Sequence, residues 1–571
     1  MSPEATRRRR LVSRALPIAL VALAAFVAGL IVGGGHTDLG SADRFATAWQ
    51  NGDFSAMYSQ ISAASARRYS LKTFTADYDR AERTATVRSV ETGDVSGAGS
   101  GASVPVTLRT NAFGTISGEL AIPLDGGRVA WTPSLVFPGL RPGEKLVRHT
   151  SLPKRASILA RDGTPLAEGP ATARSSPLGA AASAVAGSVS TPKPKQEAQL
   201  ARLGFPPGTP TGTSGLELAF NARLSGRPGG ELVAVPSGGQ KPTAGGRVLA
   251  RSKPIPGKPV HTTIDPDLQR AAVTALGGTY GGVAALDART GSVLAVAGIA
   301  FSGPQPPGST FKLITTTAAL ETGAVKLSDQ FPIQTSTTID GREIANANNE
   351  ACGGTFAEAF AESCNSVFVP LGPKIGSEHL VGTAERYGFN STPTLYEERA
   401  VKAAGIPDST LPKKITSDID LGVTAIGQGE VLATPLEMAS VAQTIGNGGV
   451  HDPTSMVTDR DLEAAAKPSR VTSSSIATTL RGLMIGVVTH GTGTAAAIPG
   501  IQVAGKTGTA ELGPVTGSGT AQRIDAWFTA FAPATNPKLA VAAMVVNASG
   551  DGGTVAAPIV RQVMTAGLGA G

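Results

Sequence analysis

Pro306-Pro307-Gly308-Ser309-Thr310-Phe311-Lys312-Leu313 opens a run of small and apolar residues that continues to Ala319, and its reading decides the C-terminal half of the chain. The prolines and Gly308 interrupt regular structure, while Ser309 to Thr322 has helical periodicity. Ser309 is thus expected at or near a helix N-terminus, with Lys312 one turn on and facing the same way. A serine hydroxyl is a weak nucleophile that needs a neighbouring base. A lysine amine can serve only if burial or nearby cations pull its pKa down from ~10.4. Taken alone, Ser-x-x-Lys describes many exposed helix starts equally well.

Upstream, Thr263-Ile264-Asp265 leads into Pro266-Asp267-Leu268-Gln269-Arg270, where Asp265 can cap a helix whose first residue is proline. Gly282-Val283-Ala284-Ala285-Leu286-Asp287 and Gly291-Ser292-Val293-Leu294-Ala295-Val296-Ala297 read as two strands of a hairpin. A central antiparallel sheet with helices packed against it is the economical fold for this region.

Two later clusters could share its chemistry. Glu362-Ser363-Cys364-Asn365-Ser366 follows a helix-like Phe356 to Phe360 segment. From a turn, Ser363 and Asn365 can point into one cleft, the hydroxyl relaying a proton and the amide contacting a peptide. Val503-Ala504-Gly505-Lys506-Thr507-Gly508-Thr509-Ala510 reads as a strand in which Gly508 leaves room for a ligand backbone. Lys506 adds positive charge and Thr507 or Thr509 a hydroxyl, which suits a substrate ending in carboxylate. Gly500 to Thr507 also fits the phosphate-loop pattern G-x-x-x-x-G-K-[ST]. That motif needs a loop between its glycines and a helix afterwards, and the apolar Ile501-Gln502-Val503 stretch argues against it.

The chain has 571 residues, more than one hydrophobic core usually serves, so several domains are expected. Hydrophobic residues at 41% and charged residues at 16% exclude disorder throughout, and 5% aromatics leave little for a base-stacking platform. Of the net charge of +7, five arginines against Glu4 place +4 within Met1 to Arg14, so no basic nucleic-acid patch is implied. The uncharged run Ala15 to Val32, 18 residues behind that arginine cluster, reads as a single-pass anchor with everything after Gly33 outside. A cleaved signal peptide shares these features. The six histidines are dispersed and no metal site is implied. The two cysteines, Cys352 and Cys364, allow either a bridge closing a short loop in an exported protein or two reduced, buried thiols.

Between anchor and C-terminal half, apolar positions 45, 49, 54 and 57/58 are near helical spacing around an Asn51-Gly52-Asp53 break, and Thr84 to Val90 and Ser103 to Leu108 alternate like strands. A small helix-then-sheet domain follows. Lys154 to Gly163 reads as a strand entering an Asp-Gly turn, 168–210 as a flexible Pro/Ser-rich surface excursion or linker, and Gly215 to Pro259 as a further small unit.

Ser309-Thr310-Phe311-Lys312, Ser363-Cys364-Asn365 and Lys506-Thr507-Gly508-Thr509 together match, in order and at familiar separations, the three signatures of penicillin-binding proteins and serine β-lactamases. The Asp287-x-x-x-Gly291 hairpin, Gly427-Gln428-Gly429 with Thr434-Pro435, and Gly491-Thr492-Gly493-Thr494-Ala495 also resemble a transpeptidase domain. Arg161-Asp162-Gly163 and Ser214-Gly215-Leu216-Glu217 resemble the pedestal of the monofunctional class B branch, and 40–140 resembles the NTF2-like domain of MecA-like members. The implied fold is multidomain α+β: tail and anchor 1–35, NTF2-like domain 36–145, elongated pedestal or dimerisation domain 146–259, and transpeptidase domain 260–571. The implied activity is D,D-transpeptidation of peptidoglycan stem peptides without a cofactor, with a D,D-carboxypeptidase or a non-catalytic penicillin-binding sensor or scaffold as alternatives. Ser309 would be the nucleophile and Lys312 its base. Ser363 would relay a proton, Asn365 would orient Lys312 and the donor amide, and Lys506, Thr507, Gly508 and Thr509 would line the substrate. The backbone N–H groups of Ser309 and Thr509 would form an oxyanion hole. β-Lactams would be covalent inhibitors, and divisome or elongasome proteins would be partners. A Cys352–Cys364 bridge would stiffen the loop holding Ser363 and Asn365.

Overall fold

The computed structural model describes residues 39–238, 246–511 and 523–569. The anchor expected at Ala15 to Val32 lies outside these residues, and among the described residues no helix is long and apolar enough to cross a membrane. The chain divides into two compact units. One gathers the chain up to Pro153 with Lys193–Thr209 and Arg227–Ile255, and the other gathers Lys154–Pro192, Pro210–Gly226 and the chain from Pro256.

In the first unit, helix α1 (Gly40–Gln50) stops at the Asn51-Gly52-Asp53 break and a short helix, Phe54–Ser59, restarts with Asp53 accepting from Ala56 N. Helix α2 (Leu71–Ala85) is capped by Ser70 and ends on Thr86 in the left-handed region. The strands are β1 (Val87–Thr92), β2 (Ser96–Ala98), β3 (Gly101–Thr110), β4 (Thr115–Asp125) and β5 (Arg128–Val129), in the order β1-β3-β4-β5 with β2 also on β3. Val104, Val106 and Leu108 alternate inward from β3 against Phe45, Trp49, Phe74, Tyr78 and Trp131. Strands β6 (Glu144–Ser151), β7 (Gly229–Pro236) and β8 (Arg247–Ser252) form a second sheet, β8-β7-β6, whose Leu232 joins this same core.

The segment expected as one pedestal, 146–259, is therefore shared. Its strands β6 to β8 go with the first unit, while 154–192 and 210–226 pack in the second. Glu217, buried in the second unit, is held on both sides by Arg155 and by Arg174, whose Nε lies 2.7 Å from Glu217 Oε1. A buried carboxylate needs such pairing, which fixes these strands of chain to one body. The 168–210 stretch is likewise more than linker. Residues Ala180–Ala186 form a helix with Ala181, Ala182, Val185 and Ala186 buried. Alanine side chains that read as linker composition are what let this helix lie close to its neighbours.

The second unit carries the central sheet. Helix α3 (Pro266–Leu276) starts as expected, Asp265 accepting from Asp267 N and Leu268 N. Strands β9 (Gly281–Asp287) and β10 (Val293–Gly298) form the hairpin. Helices α4 (Lys312–Thr322), α5 (Phe356–Ala361), α6 (Pro435–Gly446) and α7 (Ser474–Thr489) follow, then β11 (Ala504–Glu511), β12 (Ile524–Ala532), β13 (Leu539–Ala548) and α8 (Ala557–Leu568). The five strands run β10-β9-β13-β12-β11, each neighbour antiparallel. Period-two alternation serves two cores. Ala284, Leu286, Trp527, Phe531 and Met544 face one side, while Val283, Ala285, Phe528, Val541 and Ala543 face the other, beside Leu268, Val560 and Met564 of α3 and α8. β11 is an edge strand and leaves one margin open.

One carboxyl sits badly for its charge. Thr434 caps α6 by accepting from Glu437 N, yet Thr434 N donates to Ser409 Oγ instead of to Glu437. Glu437 turns over Gly388, where its Oε1 is sealed from solvent without a hydrogen-bond partner. Burial pushes its pKa up from 4.5 to about 8. The folded state thus holds a proton that the unfolded chain releases, so the stability this group contributes is full below pH 4.5 and is lost as pH rises through about 8. Glu437→Gln should remove that dependence. Its thermal midpoint relative to wild type should gain several degrees between acidic and mildly alkaline buffer, and a difference that stays flat across pH would refute the assignment.

Candidate active site

The serine turn is built from close backbone contacts. Gly308 has φ of +53°, and a Cβ there would lie 2.6 Å from Thr509 O, so only glycine fits. Gly308 N donates to Gly427 O at 2.9 Å, and Thr310 Oγ1 donates to Pro307 O at 2.8 Å. Residues Gly308–Phe311 form one 3₁₀ turn that feeds α4, leaving Ser309 half-buried at its start. The Ser309 region is therefore a helix entry, as the periodicity suggests, but tightened at its first turn.

Lys312, the first residue of α4, is fully buried. Its Nζ donates to Ser363 O at 2.7 Å and Asn365 Oδ1 at 2.8 Å, with Ser363 Oγ at 3.4 Å and the Phe368 ring centroid at 5.0 Å. Desolvation first, and the Lys506 charge second, hold the amine well below its usual pKa. Among the described residues Lys312 Nζ has no hydrogen bond to Ser309, and the amine rests on the second cluster. Catalytic hydrogen bonds are commonly loose before substrate arrives.

The second cluster hangs from α5, whose start is fixed by a capping box between Thr355 and Glu358. Ser363 then takes φ of +61°, an uncommon left-handed position for a residue with a side chain. The chain re-enters a short helix, Asn365–Phe368, and Asn365 Nδ2 donates to Ala345 O at 3.0 Å. Cys364, buried between the two polar residues, is joined by a disulfide to Cys352. Asn365 is thus fastened through its amide and Ser363 through its neighbour's sulfur.

The third cluster lies on β11. Lys506, paired with Thr529, is fully buried and its Nζ donates to Ser363 Oγ at 2.8 Å and Thr507 O at 3.2 Å. Phe360 lies beneath it, ring centroid at 5.6 Å. Desolvation lowers its pKa to about 7 against the opposing pull of Glu362. A Cβ on Gly508 would lie 2.7 Å from Pro307 O, so glycine lets this edge strand press onto the serine turn. β11 continues to Glu511, so the phosphate-loop reading of Gly500 to Thr507 lacks its helix.

Sequence reasoning brought Ser309, Lys312, Ser363, Asn365 and Lys506 to attention separately, and the structure joins Lys312 and Lys506 through Ser363. It also adds Thr492, whose hydroxyl lies 2.6 Å from Thr507 Oγ1. Gly491-Thr492-Gly493 stood out in the sequence as a run, but nothing in its spacing assigns that contact. Among the described residues no cluster of ligating side chains could hold a metal ion.

Family models match three parts of the chain. A penicillin-binding protein transpeptidase domain model matches residues 281–565, a penicillin-binding protein dimerisation domain model residues 169–262, and an NTF2-like N-terminal transpeptidase domain model residues 38–144. The peptidoglycan D,D-transpeptidase PbpA of Mycobacterium tuberculosis is 34% identical over 373 residues, covering 54% of this chain and 72% of that protein. The PbpA of Mycolicibacterium smegmatis is 33% identical over 371 residues, with the same coverage of 54% and 72%. Among solved structures, a ceftriaxone acyl-enzyme complex of penicillin-binding protein A from M. tuberculosis aligns with a TM-score of 0.57 and 29% identity, over 73% of this chain and 98% of that one.

Lys506 should respond to an anion. An incoming carboxylate favours its ammonium form, so binding above a pH of about 7 must draw a proton onto it. For a non-reactive peptide ending in D-alanine, affinity should fall as pH rises past neutrality, with net proton uptake seen by calorimetry in buffers of different ionisation enthalpy. Affinity that is flat from neutral to alkaline pH, without proton uptake, would contradict this.

Proposed function

The chain belongs to the class B penicillin-binding proteins, and from that premise we propose how its residues carry out D,D-transpeptidation of peptidoglycan stem peptides. The reading rests above all on one observation. Two buried amines, Lys312 and Lys506, converge on Ser363, at 3.4 Å and 2.8 Å from its hydroxyl.

Ser309 Oγ attacks the carbonyl carbon of the penultimate D-alanine, and its proton passes to neutral Lys312 Nζ. Burial supports that role, because desolvation first and the Lys506 charge second favour the uncharged amine that a base requires. The negative charge forming on the carbonyl oxygen meets the backbone N–H groups of Ser309 and Thr509. As the tetrahedral adduct collapses, the carbon–nitrogen bond breaks. Ser363 passes a proton to the departing D-alanine amine, replenished through Lys312 or Lys506. Asn365 keeps Lys312 directed at this exchange, and Lys506 with Thr507 holds the terminal carboxylate while Gly508 gives the donor strand room. An acceptor stem amine then attacks the ester, loses its proton and leaves Ser309 protonated as before. A β-lactam follows the first half only: the ring C–N bond breaks, its nitrogen takes the proton but stays tethered, and the carbonyl remains on Ser309 as an ester.

The uncharged run Ala15 to Val32 behind five arginines supports a single-pass anchor that leaves both units on the wall side of the membrane. Such tethering suits partners in a division or elongation complex.

After exposure to penicillin, intact mass should rise by one equivalent of the antibiotic, with the adduct on the peptide containing Ser309. Ser309→Ala should abolish both this adduct and transfer from a thioester donor to a D-amino acid. An adduct on another residue would reject Ser309 as nucleophile, and acylation without transfer to any amine or to water would leave only a sensor.

A further inference from the structure

Thr492 sits in a seat fixed by backbone contacts. Its N–H donates to Ala361 O at 3.2 Å. A Cβ on Gly491 would lie 2.5 Å from that carbonyl, and one on Gly553 2.3 Å from Thr492 O. From this seat the Thr492 hydroxyl reaches two groups, Thr507 Oγ1 at 2.6 Å and Ala361 O at 3.3 Å. Thr492 thus ties the third cluster to the carbonyl two residues before Ser363.

The two hydroxyls carry one proton each, and this limits what they can offer. In one arrangement Thr507 donates to Thr492, which donates to Ala361 O. Thr507 then shows only lone pairs to a ligand, which repel a carboxylate. In the other arrangement Thr492 donates to Thr507, and the Thr507 proton is free for a carboxylate oxygen. Lys506 Nζ, 3.5 Å from Thr507 Oγ1, can donate to that oxygen in either arrangement, and it is an arriving carboxylate, as acceptor for the Thr507 proton, that favours the second.

We propose that Thr492 is a positioning residue that directs the Thr507 hydroxyl outward and so selects donors ending in a free carboxylate. This rests on the reading that Lys506 and Thr507 receive the terminal carboxylate. Thr492 does not touch the substrate and acts only through its neighbour.

The test compares N-benzoyl-D-alanyl thioglycolate, which ends in a carboxylate, with its methyl ester, using D-alanine as acceptor. Wild type should prefer the acid. In Thr492→Val, kcat/KM for the acid should fall about tenfold, chiefly through KM, while the ester changes less than about twofold. Thr492→Ser should restore the preference, and Thr492→Ala gives the same comparison if valine impairs folding. Equal losses on acid and ester, or no loss on the acid, would overturn the proposal. A wild type indifferent to the carboxylate would instead defeat the reading of Lys506 and Thr507 on which it stands.

Discussion

Two lysine amines buried in one groove are the constraint from which the rest of this site follows. Taking an ammonium out of water costs several kcal/mol even after relaxation. Neither Lys312 nor Lys506 contacts a carboxylate among the described residues. Their closest acceptors are the backbone carbonyls of Ser363 and Thr507, the Asn365 amide oxygen and the Ser363 hydroxyl. Such neutral partners solvate an amine without pinning it as a cation, and losing the proton relieves the burial. As free base, Lys312 has two hydrogens, and Ser363 O and Asn365 Oδ1 at 2.7 Å and 2.8 Å account for both. Its lone pair is the valence left over, which is what a base requires.

Keeping such an arrangement needs rigid surroundings, because an amine free to move would reach water and regain its charge. The protein fixes it with backbone. Glycines at 308 and 508 bring the serine turn and the edge of the sheet to within contact of each other, where any side chain would hold them apart. The left-handed turn at Ser363 is held on one side by α5 with its capping box and on the other by the Cys364 sulfur and the Asn365 amide. A strained φ persists only where neighbours over-determine it, and here they do.

How much of this the sequence disclosed depends on the range of the interaction. Asp265 before Pro266, the β9–β10 hairpin and the break at Asn51 to Asp53 are local, and each stands where its residues imply. The three clusters were legible as types and in order, since a Ser-x-x-Lys helix start and a Lys-Thr-Gly strand each carry their own signature. What escaped was set by distant partners. Helix Ala180–Ala186 reads as linker until the body it packs against is known. The 146–259 segment offers no local sign that β6 to β8 part from the chain around Glu217, because strand pairing and a buried ion pair are both made at long range. Thr492 meets Thr507 only because a turn after α7 comes back to the carbonyl of Ala361. The contact of Asn365 with Lys312 was implied by the resemblance, whereas the hold of the Ser363 carbonyl on the same amine was not.

Coupling between the amines also gives the site a sense of order. The charge on Lys506 is one of the two causes that lower Lys312, so the two amines resist being protonated together. An anion that settles beside Lys506 stabilises the ammonium there, and the same positive charge then holds Lys312 more firmly as free base. Glu362, exposed nearby, works in the first of these directions by raising the pKa of Lys506. Ligand charge at one end of the groove thereby favours the protonation state needed at the other, with Ser363 touching both amines. No movement of the chain is needed for this, only two buried charges that cannot comfortably coexist.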